Sequence, residues 1–105
     1  MRVELLHRDG DPHLMEARQR LVEVLTEDAF ETPIQLVAVA TPEDAALLEL
    51  RGSPTVRIDG TDIDPDWDGP ISLDPRPYGA EPIPSKELIR RAVERARGWG
   101  HGRRG

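Results

Sequence analysis

The chain of 105 residues contains no cysteine. Without a thiol it forms no disulfide, and it offers no thiolate for redox exchange. It also lacks any apolar run near the roughly 20 residues needed to cross a bilayer, so no membrane insertion is expected. Residues 1–7 are too few and too charged for the apolar stretch of a secretory signal. We therefore expect a cytoplasmic protein.

The net charge is −6 and is unevenly distributed. Residues 1–84 hold 18 acidic and 7 basic side chains, whereas residues 85–105 hold 2 and 7. The acidic body argues against nucleic-acid binding, because phosphate contacts need a basic face. Length and composition fit one domain, which we assign to residues 1–98, with residues 99–105 as a flexible basic C-terminal tail.

Hydrophobic periodicity predicts a β-α-β-α beginning. A strand over residues 2–7 leads into a first helix, for which Asp11 is the expected N-cap and Pro12 the first helical residue. The three- and four-residue spacing of its apolar residues extends this helix to about Asp28. Residues 34–39 are aliphatic and β-branched, which favours a second strand buried on both faces.

The second helix is marked at both ends. Thr41 is the expected N-cap, and Gly52 is the expected terminator because glycine adopts the left-handed conformation easily. Its inward-facing residues are expected to be Ala45, Leu47 and Leu48.

A hairpin follows, with strands over residues 55–58 and 61–63. The intervening Asp59-Gly60 suits a two-residue type I′ turn. Residues 64–84 contain six of the ten prolines and little periodicity, which indicates a loop. Its aromatic residues, Trp67 and Tyr78, are expected to pack over the edge of the domain, and the alternative is that they line a groove beside Pro54.

The last helix is expected to begin after Ser85 and to end at Gly98. The complete order is β-α-β-α-β-β-α, in which the first two strands pair in parallel and the hairpin adds an antiparallel edge. This predicts an α/β fold with a four-stranded mixed sheet and helices on both faces. The order is that of a minimal thioredoxin-like domain, although ferredoxin-like and other small α/β folds come close.

Three motifs resemble those of thioredoxin-like proteins. The G-S-P-T of residues 52–55 lies where that family places a cis-proline, and the D-P-H-L of residues 11–14 lies where it carries a C-P-x-C dithiol. The P-R-P-Y of residues 75–78 is similar to a C-R-x-Y segment in small bacterial thioredoxin-like proteins that are sometimes labelled as relatives of alkylmercury lyase. The resemblance spans residues 2–97.

Every thiol position of the family pattern is substituted. Asp11 stands in place of the attacking cysteine, Leu14 in place of the resolving cysteine and Pro75 in place of the cysteine of C-R-x-Y. Redox and mercury chemistry need a thiolate, so the family's activity is not carried over. The resemblance implies that Asp11, Pro12, His13 and Leu14 occupy the positions of a degenerate active site.

The resemblance implies a redox-inactive binding or structural module that needs no cofactor. Its ligand, an unidentified peptide, protein or small molecule, is expected at the exposed backbone edge formed by Ser53, Pro54, Thr55, Arg76 and Tyr78. We assign no catalytic residue. Two alternatives remain open. One is a non-thiol enzyme or metal-binding protein using Asp11 and His13, and the other is a calcium- or anion-responsive protein using an aspartate loop or the arginine-rich tail.

The aspartate loop is D-x-D-x-D-G at residues 64–69, which matches the start of an EF-hand calcium loop. The twelfth position is Pro75 instead of a bidentate glutamate, and no helix is predicted before the loop. A H-x-D-x-D-x-H pattern over residues 7–13 is equally weak, since turns and caps explain its aspartates. We assign no metal, and the weak candidate ligands are Asp64, Asp66 and Asp68.

The absence of cysteine makes a direct prediction. The purified protein should show no insulin reduction and no disulfide oxidation above a buffer blank, because neither of its two methionines can replace a thiolate. Turnover in a metal-free preparation would contradict the prediction.

Overall fold

A computed structural model of the chain describes residues 1–27 and 32–97. It contains three helices, which are α1 (Leu14–Glu27), α2 (Pro42–Leu48) and α3 (Lys86–Ala96). The strands are β1 (Val3–Arg8), β2 (Ile34–Val39), β3 (Arg51–Ser53), β4 (Thr55–Ile58), β5 (Thr61–Asp62) and β6 (Ser72–Pro75).

The main sheet has four strands in the order β2-β1-β4-β5. β1 is parallel to β2 and antiparallel to β4, and β4 is antiparallel to β5. The expected four-stranded mixed sheet with three helices is therefore confirmed. Between β4 and β5, Asp59 (φ 53°) and Gly60 (φ 84°) both have the positive φ that a type I′ turn requires.

The two faces of the sheet bury separate apolar clusters. On one face, Val3 and Leu5 of β1 pack with buried residues of α1 and α3. On the opposite face, Leu6 packs with Val39, Ala45 and Leu50 beneath α2. Alternate residues of a strand face opposite sides, so β1 contributes to both clusters and helices cover both faces.

Two expectations about burial were wrong. β2 is an edge strand with three exposed residues, not a strand buried on both faces, and its Leu36 is 48% exposed. In α2, Leu47 and Leu48 are 82% and 37% exposed instead of facing inward. α2 is only seven residues long, and Ala45 is its single buried residue, so the helix covers little of the sheet.

The helix boundaries differ at two places. α1 begins at Leu14, because Pro12 and His13 form a turn ahead of it, so Asp11 lies outside the first helical turn. α2 ends at Leu48 with Glu49 (φ 54°) as its C-cap, so Gly52, which also has a positive φ but lies in β3, does not terminate the helix.

Of the other predicted helix ends, two are confirmed and two lie outside the described residues. The caps at Thr41 and Ser85 are confirmed, since each hydroxyl accepts a backbone N–H from three residues later at 3.1 Å. The predicted helix ends at Asp28 and Gly98 and the predicted tail over residues 99–105 lie outside the described residues.

The segment expected to be a loop, residues 64–84, contains a strand. β6 pairs in parallel with β3 to form a second, two-stranded sheet, and Tyr78 forms a further bridge with Glu81. The prolines of this segment hide the strand from a periodicity analysis. None of the helices within residues 1–27 and 32–97 has the length and apolar character needed to cross a bilayer.

The contact between the two short strands generates a prediction at Gly52. This residue has φ 94°, and a Cβ placed on it would lie 2.7 Å from the Cβ of Arg76. Gly52→Ala should lower the free energy of unfolding by about 3 kcal/mol or more, because a steric clash adds to an unfavourable φ. Gly10→Ala is the matched control, since Gly10 has φ 72° with nothing within 4 Å. It should cost only about 1–2 kcal/mol. Equal losses in urea unfolding would show that the clash does not exist.

Candidate functional site

Asp11 lies in the turn between β1 and α1, where its carboxylate is almost fully buried. The residue is 8% exposed. Its Oδ2 accepts a hydrogen bond from the Ser53 hydroxyl at 2.5 Å, and its Oδ1 accepts the backbone N–H of His13 at 2.8 Å. Both carboxylate oxygens are thus engaged within the protein, which compensates the cost of burying the charge.

Ser53 connects this turn to the central strand. Its Oγ accepts the backbone N–H of Arg8, the last residue of β1, at 2.9 Å while donating to Asp11. The Ser53–Pro54 peptide bond is cis. The Ser53 hydroxyl therefore joins the end of β1, the Asp11 turn and the segment between β3 and β4.

Arg76 is the largest fully buried side chain among the described residues, at 1% exposure. Its guanidinium donates to both carboxylate oxygens of Asp62, at 2.7 and 3.0 Å, and to the Thr55 hydroxyl at 3.2 Å. It also lies over the rings of Tyr78 and Trp67, with its central carbon 4.9 and 5.7 Å from the ring centroids. Such a bidentate pair with stacked aromatic rings suits arginine specifically.

Tyr78 holds the proline-rich segment of residues 64–84 beside Pro54. Its hydroxyl donates to the carbonyl of Pro54 at 2.6 Å. Burial raises the pKa of Tyr78 far above its usual value, an effect that the nearby positive charge of Arg76 only partly offsets. The phenol therefore stays protonated across the physiological range and remains a hydrogen-bond donor.

The segment that includes β6 occupies the backbone beside Pro54. The N–H of Arg76 donates to the carbonyl of Ser53 at 3.0 Å, and Tyr78 takes the carbonyl of Pro54. The Thr55 hydroxyl donates to the carbonyl of Gly52 at 2.8 Å. The structure thus brings together the five residues expected to form a ligand-binding edge, but they bond to one another and do not present those carbonyls to solvent.

The other residues of the D-P-H-L motif, Pro12, His13 and Leu14, lie apart from this cluster. The ring Nδ1 of His13 lies 4.0 Å from a carboxylate oxygen of Glu16, one helical turn along α1. Only the backbone of His13 bonds to Asp11, so the acid-base couple that these two residues suggested is not assembled. Leu14 is half-buried and packs against the main apolar cluster, while Pro12 is exposed.

The candidate metal ligands are not gathered. Within residues 1–27 and 32–97, no group of three or more histidine, cysteine, aspartate or glutamate residues could hold a metal ion. The weak candidates Asp64, Asp66 and Asp68 therefore form no such cluster, and neither does the pattern over residues 7–13. The backbone of Asp64 instead takes part in turns. Its N–H donates to the carboxylate of Asp62, and its carbonyl accepts the N–H of Trp67.

Sequence reasoning missed Asp62. This residue fell within the predicted strand over residues 61–63 and was given no role, and nothing in its local pattern signals an ion pair with a residue 14 positions along the chain. Trp67 was expected to pack, and its indole N–H donates to the carbonyl of Arg51 at 3.0 Å. The signal that could have identified the pair is Arg76 itself, since an arginine between two prolines in an otherwise acidic loop needs a partner.

No protein-family model, curated protein or solved structure significantly matches the chain.

The geometry at Asp11 predicts an order of stabilities. Asp11→Ala should lower the free energy of unfolding by about 1–3 kcal/mol, because it leaves the buried Ser53 hydroxyl and the His13 N–H without an acceptor. Asp11→Asn should recover most of this loss, since its oxygen can accept from His13 and its amide can donate to Ser53.

Asp9→Ala serves as the control, because Asp9 is exposed, and it should change stability by no more than about 0.5 kcal/mol. Urea unfolding of the three variants measures these differences. If Asp11→Ala behaved like Asp9→Ala, the hydrogen bonds of Asp11 would contribute nothing to the fold.

Proposed function

We propose that the chain is a redox-inactive binding module built on a thioredoxin-like core. The observation that carries this proposal is the 2.5 Å hydrogen bond between Asp11 and Ser53. It joins the two segments in which the family resemblance places the dithiol and the cis-proline. A chain with those segments side by side and without a thiol keeps the scaffold of the family's site but not its chemistry.

The arrangement of the sheet supports a thioredoxin-like core. β1 and β2 are parallel strands joined through α1, and the β4–β5 hairpin continues the sheet on the other side of β1. α1 and α3 pack on one face and α2 on the other. This order agrees with the minimal arrangement implied by the resemblance. β3 and β6 are additions to it.

The geometry argues against catalysis at the Asp11 position. An activated serine needs a base to take its proton, and that base must be free to release it. Here the Ser53 hydroxyl donates to a carboxylate that also holds the turn before α1, and no imidazole lies between the two groups. Asp11 and Ser53 therefore have a structural role, in which they hold the turn before α1 against the Ser53–Pro54 segment.

The hydrogen bonds made by Arg76 and Tyr78 also restrict where a ligand can bind. Because the carbonyls of Ser53 and Pro54 are occupied by the chain's own Arg76 and Tyr78, a ligand that needs backbone partners must find them on another part of the surface. The module that we propose therefore holds its ligand outside the former active site.

A double substitution tests the core. Asp11→Cys combined with Leu14→Cys should form an intramolecular disulfide under mild oxidation, because the N–H of Leu14 already bonds to the carbonyl of Asp11 at 3.3 Å. Residues that close a turn in this way lie within the separation that a disulfide requires. The first new thiol would also lie just ahead of α1, where the helix dipole favours a thiolate.

The two single-cysteine variants are the controls, since they can form only intermolecular disulfides. Thiol titration and mass spectrometry of folded samples, before and after oxidation, give the result. A folded double variant that retains two free thiols would contradict the thioredoxin-like assignment of these positions.

A further inference from the structure

Most arginine side chains that the structure describes have a partner inside the protein. Some form ion pairs with carboxylates, namely Arg2, Arg20, Arg76, Arg90 and Arg91. Others donate to backbone carbonyls, namely Arg51, Arg57 and Arg95. The guanidinium of Arg8 differs, because within residues 1–27 and 32–97 it makes neither a hydrogen bond nor an ion pair.

Arg8 is the last residue of β1, and its side chain lies on the α2 face of the main sheet. Leu6, two residues earlier, packs in the cluster beneath α2, and alternate residues of a strand face the same side. Arg8 also pairs in register with Val39 of β2, which belongs to the same cluster. Because β1 and β2 are parallel, Arg8 lies at the carboxyl end of both strands, where open α/β sheets bind their ligands.

The burial of Arg8 is uneven along its side chain. The residue as a whole is half-buried, and its Nε is shielded from solvent without a hydrogen-bond partner among the described residues. The two terminal nitrogens, Nη1 and Nη2, also lack a partner there, but they are not buried. The protein thus encloses the stem of the side chain, while the end of the guanidinium that carries Nη1 and Nη2 opens to solvent.

This arrangement prepares the guanidinium for a ligand. The enclosed stem has already lost rotamer freedom, so binding costs less conformational entropy than it would at an exposed arginine. A half-buried charge is also less well solvated than an exposed one, which makes a charged partner more valuable. Nη1 and Nη2 present two parallel N–H donors, and these match the two oxygens of a planar carboxylate.

Two aspartates in the turn after Arg8 select among anions. Asp9 is the next residue and is exposed, and Asp11 donates its backbone N–H to the carbonyl of Arg8 at 3.3 Å. The Ser53 hydroxyl contacts both the backbone N–H of Arg8 and the carboxylate of Asp11, which places that negative charge close to Arg8. A dianion meets about twice the repulsion that a monoanion meets from these aspartates. A monocarboxylate therefore suits the site better than a phosphate.

We propose that Arg8 binds the carboxylate of a ligand through Nη1 and Nη2, at the carboxyl end of β1 and on the α2 face of the sheet. The proposal rests on the proposed binding function and extends it to a site and a class of ligand. The site uses neither the carbonyl of Ser53 nor that of Pro54, which Arg76 and Tyr78 occupy.

Acetate is the probe, titrated into the full chain at pH 7.5 with sodium chloride keeping the ionic strength constant. Acetamide is the neutral control of the same shape, and phosphate is the control with a higher charge. The Nε–Hε signal of Arg8 and the backbone amides of residues 8–11 report binding in nitrogen-15 NMR spectra. We expect acetate to shift these signals saturably and to bind at least about threefold more tightly than phosphate, whereas acetamide shifts nothing.

Arg8→Gln is the decisive variant, because it removes both the charge and the pair of donors. Acetate binding, followed through the backbone amides, should weaken at least about tenfold. Arg8→Lys keeps the charge without the paired donors and should weaken binding at least about threefold.

Arg18→Gln is the matched control. Arg18 is also half-buried, and in the part of the chain that the structure describes it has no ion pair or hydrogen bond, but its Nε is not enclosed. The substitution removes the same charge and should leave the affinity for acetate within about twofold of wild type. Circular dichroism and thermal unfolding confirm that all three variants are folded.

Four results would overturn the proposal. These are no saturable shift with acetate, acetate binding that Arg8→Gln leaves intact, equal weakening by Arg8→Gln and Arg18→Gln, and tighter binding of phosphate than of acetate. The third would show attraction by net charge alone, and the fourth would replace the class of ligand. Each leaves the thioredoxin-like core standing, because the disulfide of the Asp11→Cys and Leu14→Cys variant does not involve the side chain of Arg8 and tests the core separately.

Discussion

A guanidinium that water hardly reaches must find its partners inside the protein, and Arg76 finds them in Asp62, Thr55 and two aromatic rings. Leaving such a charge unpaired would cost several kcal/mol, so the proline-rich segment that carries Arg76 is held against the β4–β5 hairpin. With that segment in place, Tyr78 reaches the carbonyl of Pro54. The pairing of β3 with β6 and the hydrogen bond between Tyr78 and Pro54 both depend on this buried ion pair.

The carboxyl end of β1 and the β2 edge of the main sheet differ in how their hydrogen-bonding groups are satisfied. At the carboxyl end of β1, the Ser53 hydroxyl donates to Asp11 and the Ser53 carbonyl accepts the N–H of Arg76, so these three segments are held together. At the β2 edge of the main sheet, the side chains are uncharged, and among residues 1–27 and 32–97 nothing bonds to the outer backbone groups of the strand.

Local chemistry explains the predictions that the structure confirms. The hydroxyls of Thr41 and Ser85 cap their helices, and Asp59-Gly60 forms the turn, because each depends on residues within a few positions along the chain. The separation of strands and helices likewise follows from short-range periodicity. The same reasoning placed the Asp11 turn and the Pro54 segment correctly in chain order, but it contained nothing about the distance between them.

By itself, the sequence determined that there is no thiol chemistry, that the chain forms four strands of a mixed sheet with three helices, and where two of those helices begin. Only the tertiary structure decided that β2 lies at an edge, that Asp62 pairs with Arg76, and that a proline-rich segment pairs with β3. These features depend on contacts between residues far apart in the chain. Burial and pairing partners arise when separate elements pack together, and no local pattern of residue types records which elements will meet.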